Sequence, residues 1–420
     1  MNERNKRIVM KFGGKCLADL YLIKAVADYL KEHLAKYPDF KIIAVVSAMG
    51  SFTDDSLKQI KELAPNSGQT QGREVDYVTQ AGEGISAGLV AIRLNEIGVR
   101  AKSLNALQLG ISTTGNFKEA RIINIDIAKL ESEFTKHDVL VVTGFQGIHE
   151  SEEGVIVTLG RGGSDTTAVA VAASLGCDCQ FYKKANGVTV CDTDLVPSAK
   201  VLKFCTYGDA LDMATYGYEF LHSRCLDIAQ RFGVKLEFKA SPGLGNDPWS
   251  KGTVIGERLD VIEEQSDFCA IAVKEGITLI TIHNVPNKVG WAAKIFNKVG
   301  NFNLIDFQQI IYGADREKAL VAIVLIDEIA DLVKINIAKW LESKPEMQIS
   351  SISCLVNLTF IDAAMSHKPG FALALSQLLA DDGVNIEGQY TSGNRIHTLM
   401  SGEDVKDAVL ALAEHFNLVG

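Results

Sequence analysis

Long apolar runs are missing from this 420-residue chain, and none approaches the ~20 residues that a membrane-spanning helix needs. The amino terminus, MNERNKRIVMKF, has basic residues but no apolar core of a secretory leader. The expectation is therefore a cytoplasmic protein without a membrane partner. Paired cysteines are also lacking. Eight cysteines are scattered, only Cys177 and Cys179 lie close together, and the expectation is reduced core thiols with no metal site. Excess positive charge is absent too: the net charge is −10, which argues against a nucleic-acid partner. What remains is an ordinary globular composition, 47% hydrophobic and 22% charged, long enough for roughly two to four domains.

The most informative stretch is Gly154 to Ala173, GVIVTLGRGGSDTTAVAVAA. Val155 to Leu159 reads as a short buried strand. Gly160-Arg161-Gly162-Gly163 is too rich in glycine to continue it. Ser164 and Asp165 are good helix caps, and Thr166 to Leu175 suits a buried helix. A strand, a glycine turn and a capped helix aim backbone N–H groups at one point, which favours an anion such as phosphate. Arg161 adds a group able to clasp a carboxylate with two hydrogen bonds.

Other segments fit the same architecture. Arg7 to Phe12 reads as a strand running into Gly13-Gly14, with Lys11 at its end, and Asp19 to Ala35 as an amphipathic helix. Lys41 to Ser47 is a buried strand ending in a polar residue, the place where open α/β sheets put ligands. Residues 64 to 72 read as a loop, and Glu74 to Leu94 as one long helix. Within it Glu83 sits between Gly82 and Gly84, each costing ~1 kcal/mol in a helix interior, which points to close packing or a ligand. Val139 to Gly144 is another buried strand. Strands alternating with helices predict a mostly parallel sheet covered on both faces.

Lys11-Phe12-Gly13-Gly14, Val45-Val46-Ser47-Ala48, Gly82-Glu83, Val142-Thr143-Gly144-Phe145 and Leu159 to Asp165 follow the order and spacing of the aspartate kinases. Tyr216 to His222 (YGYEFLH) and Lys251 to Ile255 (KGTVI) resemble later landmarks of that family. The resemblance covers nearly the whole chain. It implies the three-layer amino-acid kinase fold and phosphorylation of the side-chain carboxylate of L-aspartate by ATP, giving 4-phospho-L-aspartate. Carried over by position, Lys11 and Asp165 are catalytic, with Lys11 meeting phosphate charge as it develops and Asp165 orienting the loop. Arg161 would grip a carboxylate of the amino acid, Glu83 would accept from its ammonium, and Ser47, Gly162 and Ser164 would lie near it. Gly13, Gly14, Gly162 and Gly163 would cradle phosphates, and Lys184, Gly187, Val188 and Asp192 would complete the nucleotide site with Lys11. Mg²⁺ is expected to arrive on ATP.

The chain departs from the family pattern twice. Lys15-Cys16 follows KFGG where Thr-Ser or Ser-Ser is usual. The nucleotide segment, usually like TDVDGVYTADPR, reads KKANGVTVCDTD from Lys183 to Asp194. An acid has become Lys184, another Asn186, and the closing arginine Asp194. Two other functions stay open on that account: an amino-acid kinase with a different donor or acceptor, and an amino-acid-sensing partner protein with little catalysis.

Beyond Gly256 the rhythm changes. Glu257 to Gln265 reads as a linker, which gives a division into a catalytic domain over 1–256, a linker over 257–266 and two modules over 267–345 and 346–420. In the first, Ile277 to Val285, Trp291 to Val299 and Ala319 to Ile326 read as strand, helix and strand. In the second, Val356 to Ala363, Phe371 to Leu379, Val384 to Tyr390, Arg395 to Met400 and Asp404 to His415 repeat the cycle at about 75 residues. The pair resembles tandem ACT modules of ferredoxin-like βαββαβ form, with a leading strand near Ala270 to Val273 that crosses to the second module. The resemblance implies a lysine or threonine effector near Asn287, Gly290, Ala292, Asn303 and Gln309, a second turn at Lys368-Pro369-Gly370, and a homodimer or larger assembly through these modules.

Overall fold

Arg7–Phe12 is a central strand of an eight-stranded sheet because five of its six residues are buried, so both faces must be covered. The computed structural model describes residues 6–66, 71–257, 269–300, 302–314, 316–362, 365 and 370–420. The sheet runs Phe204–Thr206, Thr253–Gly256, Leu236–Ala240, Cys179–Lys183, Arg7–Phe12, Lys41–Val46, Val139–Thr143, Ala101–Leu104. Every pairing is parallel except that of Leu236–Ala240 with Thr253–Gly256. Strand alternation divides the residues between two cores. Met10, Phe12, Ala44, Val46 and Tyr182 pack with Ile23, Val26 and Leu30 of the Leu20–Lys36 helix and with Ala87, Val90 and Leu94 of the Ala81–Glu96 helix. Lys11, one residue from Met10 and Phe12, therefore points to the opposite face, where the Gly163–Leu175 helix lies. That helix is buried nearly all round, which explains its small residues. A four-stranded sheet of Arg121–Ile125, Ile111–Thr114, Gln146–Ile148 and Ile156–Thr158 accompanies it.

The expected mostly parallel, helix-covered sheet is present, and several boundaries differ for local reasons. The helix expected over Glu74 to Leu94 is two, Gly72–Thr79 and Ala81–Glu96. Between them stands Gln80, the closing cap of one and the opening cap of the next, whose carbonyl also accepts Gln146 Nε2 at 2.8 Å. The loop helix starts at Gly163, before the expected Ser164 and Asp165 caps. Gly162, at φ 69°, is its cap residue, and the Asp165 carboxylate is held by lysines instead.

The chain divides into two compact units, the second made of 265–420 together with Cys191–Ala199 and Tyr216–Tyr218. Its six-stranded antiparallel sheet runs Asp306–Tyr312, Lys318–Ile326, Cys269–Pro286, Gln348–Asp362, Arg395–Ser401, Gly388–Ser392. The strands expected separately near Ala270 to Val273 and over Ile277 to Val285 are one, Cys269–Pro286, with an irregularity between Lys274 and Ile277. Its first part pairs with Leu358 to Asp362, and its later part with both Lys318–Ile326 and Gln348–Leu355. The expected linker lies outside the described residues from 258 on, as do Lys368 and Pro369.

Candidate active site

Nine expected residues, Lys11, Gly14, Ser47, Glu83, Arg161, Gly162, Gly163, Ser164 and Asp165, line one cleft of about 570 Å³. Sheet order brings them together: Lys11 lies near the end of one strand, Ser47 just past the end of its parallel neighbour, and the Arg161 loop opens the helix against them. Gly14 is where two turns meet, since a Cβ there would stand 2.8 Å from the carbonyl oxygens of Ala48 and Gly50. Gly162 is required twice over, by its left-handed backbone and by His222, whose Cβ would lie 2.5 Å from an added methyl.

Electrostatics organises the floor of the cleft. Lys11 forms an ion pair with Asp165 Oδ1, and Lys183 Nζ lies 3.7 Å from Asp165 Oδ2. Burial opposes the charge on Asp165, but Lys11 and Lys183 outweigh it and hold the carboxyl below the usual carboxylate range. Glu83 is 2% exposed; its Oε1 accepts the Ala48 N–H at 3.1 Å, while Oε2 is buried without a hydrogen-bond partner. Burial pushes its carboxyl up to about 7. An ionised group with one orphaned oxygen is suited to an incoming ammonium. Gly82 packs against Ala48 and Phe52, whereas Gly84 has open space, so packing accounts for the first glycine only. Arg161 is exposed, and its guanidinium has no partner among the described residues, which leaves it free for an anion.

Sequence reading missed the groups that hold this loop. Asp76 is fully buried and lines the cleft. It accepts the N–H of Lys118 at 2.9 Å and both the N–H and hydroxyl of Thr158 at 2.8 Å. Its spacing of seven from Glu83 on a helical stretch was an available signal. Nothing in sequence pointed to Thr158 as its partner. Phe145, at φ 69°, also lines the cleft, a backbone conformation costly for a bulky residue. Lys183 is the other omission.

The expected nucleotide residues are more dispersed. Gly13 lies against Lys11, a Cβ there being 3.6 Å from Nζ. Lys15 and Lys184 are exposed. Gly187, at φ 124°, packs against Val201 and Thr253, and the Val188 N–H donates to Thr253 Oγ1 at 2.7 Å. Asp192 belongs to the second unit, where it accepts the Asp194 N–H at 2.9 Å. Of the expected effector residues, Asn287 closes a turn, donating to the Glu317 carbonyl at 2.7 Å and to the Arg316 carbonyl at 2.8 Å. Gly290, at φ 86°, precedes the Trp291–Val299 helix, in which Ala292 is half-buried, and Asn303 and Gln309 are exposed. No helix among the described residues is long and apolar enough to cross a membrane.

A family model for the amino acid kinase family matches residues 6–239. The chain is 31% identical to the aspartokinase of Mycolicibacterium smegmatis over 98% of its own length and 96% of that protein. It is 32% identical to the aspartokinase of Bacillus sp. strain MGA3 over 98% of each. Escherichia coli aspartokinase III, solved with aspartate and ADP, shares the fold at TM-score 0.74 and 21% identity, over 97% of this chain and 99% of that one. Clostridium acetobutylicum aspartate kinase does so at TM-score 0.72 and 20% identity, over 98% and 100%. With a cleft built from the glycine-loop helix, an ion-paired lysine and a free arginine, the chain belongs to the amino acid kinase family as a kinase of the aspartokinase group.

Proposed function

We propose that the protein transfers the γ-phosphoryl group of ATP to the side-chain carboxylate of L-aspartate, giving 4-phospho-L-aspartate, the first step of lysine, threonine and methionine biosynthesis. The observation that carries this reading is the pairing, in one cleft, of an unpartnered Arg161 with a buried Glu83 that has one free oxygen. Those two groups recognise a carboxylate and an ammonium, the ends of an amino acid. Lys11, beside them, would meet negative charge developing on the transferring group, and Asp165 fixes its position. No general base is needed, because a carboxylate nucleophile is already ionised. Among the described residues no group of three acids, histidines or cysteines could hold a metal. The chemistry of the donor set therefore suits Mg²⁺ carried by the triphosphate, where it would neutralise phosphate charge.

The antiparallel unit is read as a pair of ACT modules that sense an amino acid, lysine or threonine, and join the chain into a homodimer or larger assembly. Its support is the internal repeat and the left-handed glycine turn before the Trp291–Val299 helix. Trapping the acyl phosphate with hydroxylamine tests the main reading: hydroxamate should form from aspartate and Mg·ATP, and its absence at millimolar substrate would overturn it. Titration of lysine and threonine into the same assay tests the sensor.

A further inference from the structure

We propose that Lys183 is a second catalytic cation of the phosphoryl-transfer centre, an inference that rests on the kinase reading of this cleft. Cys179–Lys183 lies parallel to Arg7–Phe12 with Lys11 opposite Phe181 and Phe12 opposite Tyr182. Alternation sends Tyr182 to the far face, where it stacks on Phe12 at 4.6 Å between ring centroids. Phe181 and Lys183 then share the face of Lys11, so Lys183 stands at the carboxyl end of the sheet beside the catalytic lysine. Asp165 lies between the two ammonium groups, one on each oxygen. A carboxylate in that place lets two like charges stand together, and the three groups sum to one positive charge. The side chain of Lys183 is 33% exposed, against 7% for Lys11 and 12% for Asp165, so it is the member of the cluster most open to a ligand.

The surrounding sequence gives the charge a purpose. The aspartate-kinase pattern has a threonine at the position of Lys183, and its closing arginine is Asp194 in this chain. Lys184 is the lysine of that segment expected at the nucleotide, but Lys183 is the one paired with Asp165. In the transfer, a carboxylate oxygen of aspartate bonds to the γ-phosphorus as the bond from phosphorus to the bridging oxygen breaks. The electron pair leaves with ADP. Charge is conserved without any proton movement, and it spreads over the oxygens of the transferring group. Two ammonium groups held by one carboxylate would meet that charge from adjacent positions, Lys11 from one and Lys183 from the other.

The test compares wild type with Lys183→Met, Lys183→Thr and Lys183→Arg in the hydroxamate assay, alongside thermal unfolding. The expected result is a fall in kcat of roughly 100-fold for Met and Thr, with KM for aspartate and ATP within about threefold, and a smaller fall for Arg. Binding of Mg·ADP with aluminium fluoride and aspartate, a mimic of the transferring group, should weaken similarly while Mg·ADP alone binds as before. Should Met fail to fold, the Thr and Arg variants carry the comparison. An active wild type with kcat kept in both Met and Thr overturns the inference alone. A loss confined to KM for ATP also overturns it, in favour of ground-state phosphate binding. A wild type that makes no hydroxamate overturns the kinase reading, and the inference with it.

Discussion

The carboxylate of Asp76 takes both the backbone N–H and the hydroxyl of Thr158, each at 2.8 Å, from 82 residues away in the chain. Thr158 is the last residue of the strand that leads into Leu159-Gly160-Arg161, so this pair sets where the arginine loop begins. The Lys118 N–H binds the same carboxylate, and the Gly160 turn packs on the Lys118 carbonyl. Asp76→Ala should leave the two buried Thr158 donors without an acceptor, and the part-buried Lys118 N–H without this one, costing roughly 2–4 kcal/mol of stability. In protein that still folds, aspartate KM should rise more than ATP KM. Denaturant unfolding and substrate titrations check this, and unchanged stability would sink the pinning role.

Arg161 offers a cleaner separation of binding from folding. Its guanidinium is exposed and has no partner among the described residues, so Arg161→Ala should leave the melting temperature essentially unmoved. The lost charge-assisted contact, roughly 1.5–3 kcal/mol, should weaken aspartate binding about tenfold or more. Calorimetry with aspartate, and separately with Mg·ATP, distinguishes this from a general defect.

In the proposed reaction, Glu83 should make amino-acid binding sensitive to pH. Burial raises its carboxyl to about 7, and only the ionised form accepts from an ammonium. Aspartate affinity in the free enzyme should therefore hold above pH 7 and fall below it, approaching tenfold per unit. Glu83→Gln should bind aspartate weakly with no such slope. A steep slope surviving in that variant would assign the titration elsewhere.

His397 predicts an acid instability of the second unit. It is 1% exposed, its Nδ1 pairs with Thr359 Oγ1 at 3.0 Å, and it stacks on Tyr390. Burial, reinforced by Arg395, lowers it to about 4. A histidine depressed in the folded state keeps its full contribution above its ordinary value near 6.5, and loses it as pH falls toward 4. The slope is roughly 1.4 kcal/mol per pH unit within that window. His397→Gln should be less stable at neutral pH and should lose less stability between pH 6.5 and 4.5. Urea midpoints across that range measure the difference.

Sequence by itself determined the elements whose signals are local. Short apolar runs and period-3.6 patterns marked Arg7–Phe12, Leu20–Lys36, Lys41–Val46, Val139–Thr143 and most strands and helices of the antiparallel unit. The glycine loop was legible because Gly162 must take a left-handed backbone, a requirement few other residues meet. Lys11, Glu83, Arg161 and Asp165 stand out through the motifs shared with the aspartate kinases, and the structure brings all four to one cleft. Tertiary structure alone decided partnerships between distant segments. Nothing local to Asp76 announces Thr158, because the two meet only after a four-stranded sheet has folded against a helix. Lys183 and Lys184 are adjacent in sequence and both cationic, and strand alternation, fixed by the register with Lys11, turned the first toward Asp165 and left the second exposed. A one-residue shift of that register would have exchanged their roles, which is why composition and spacing could not choose between them.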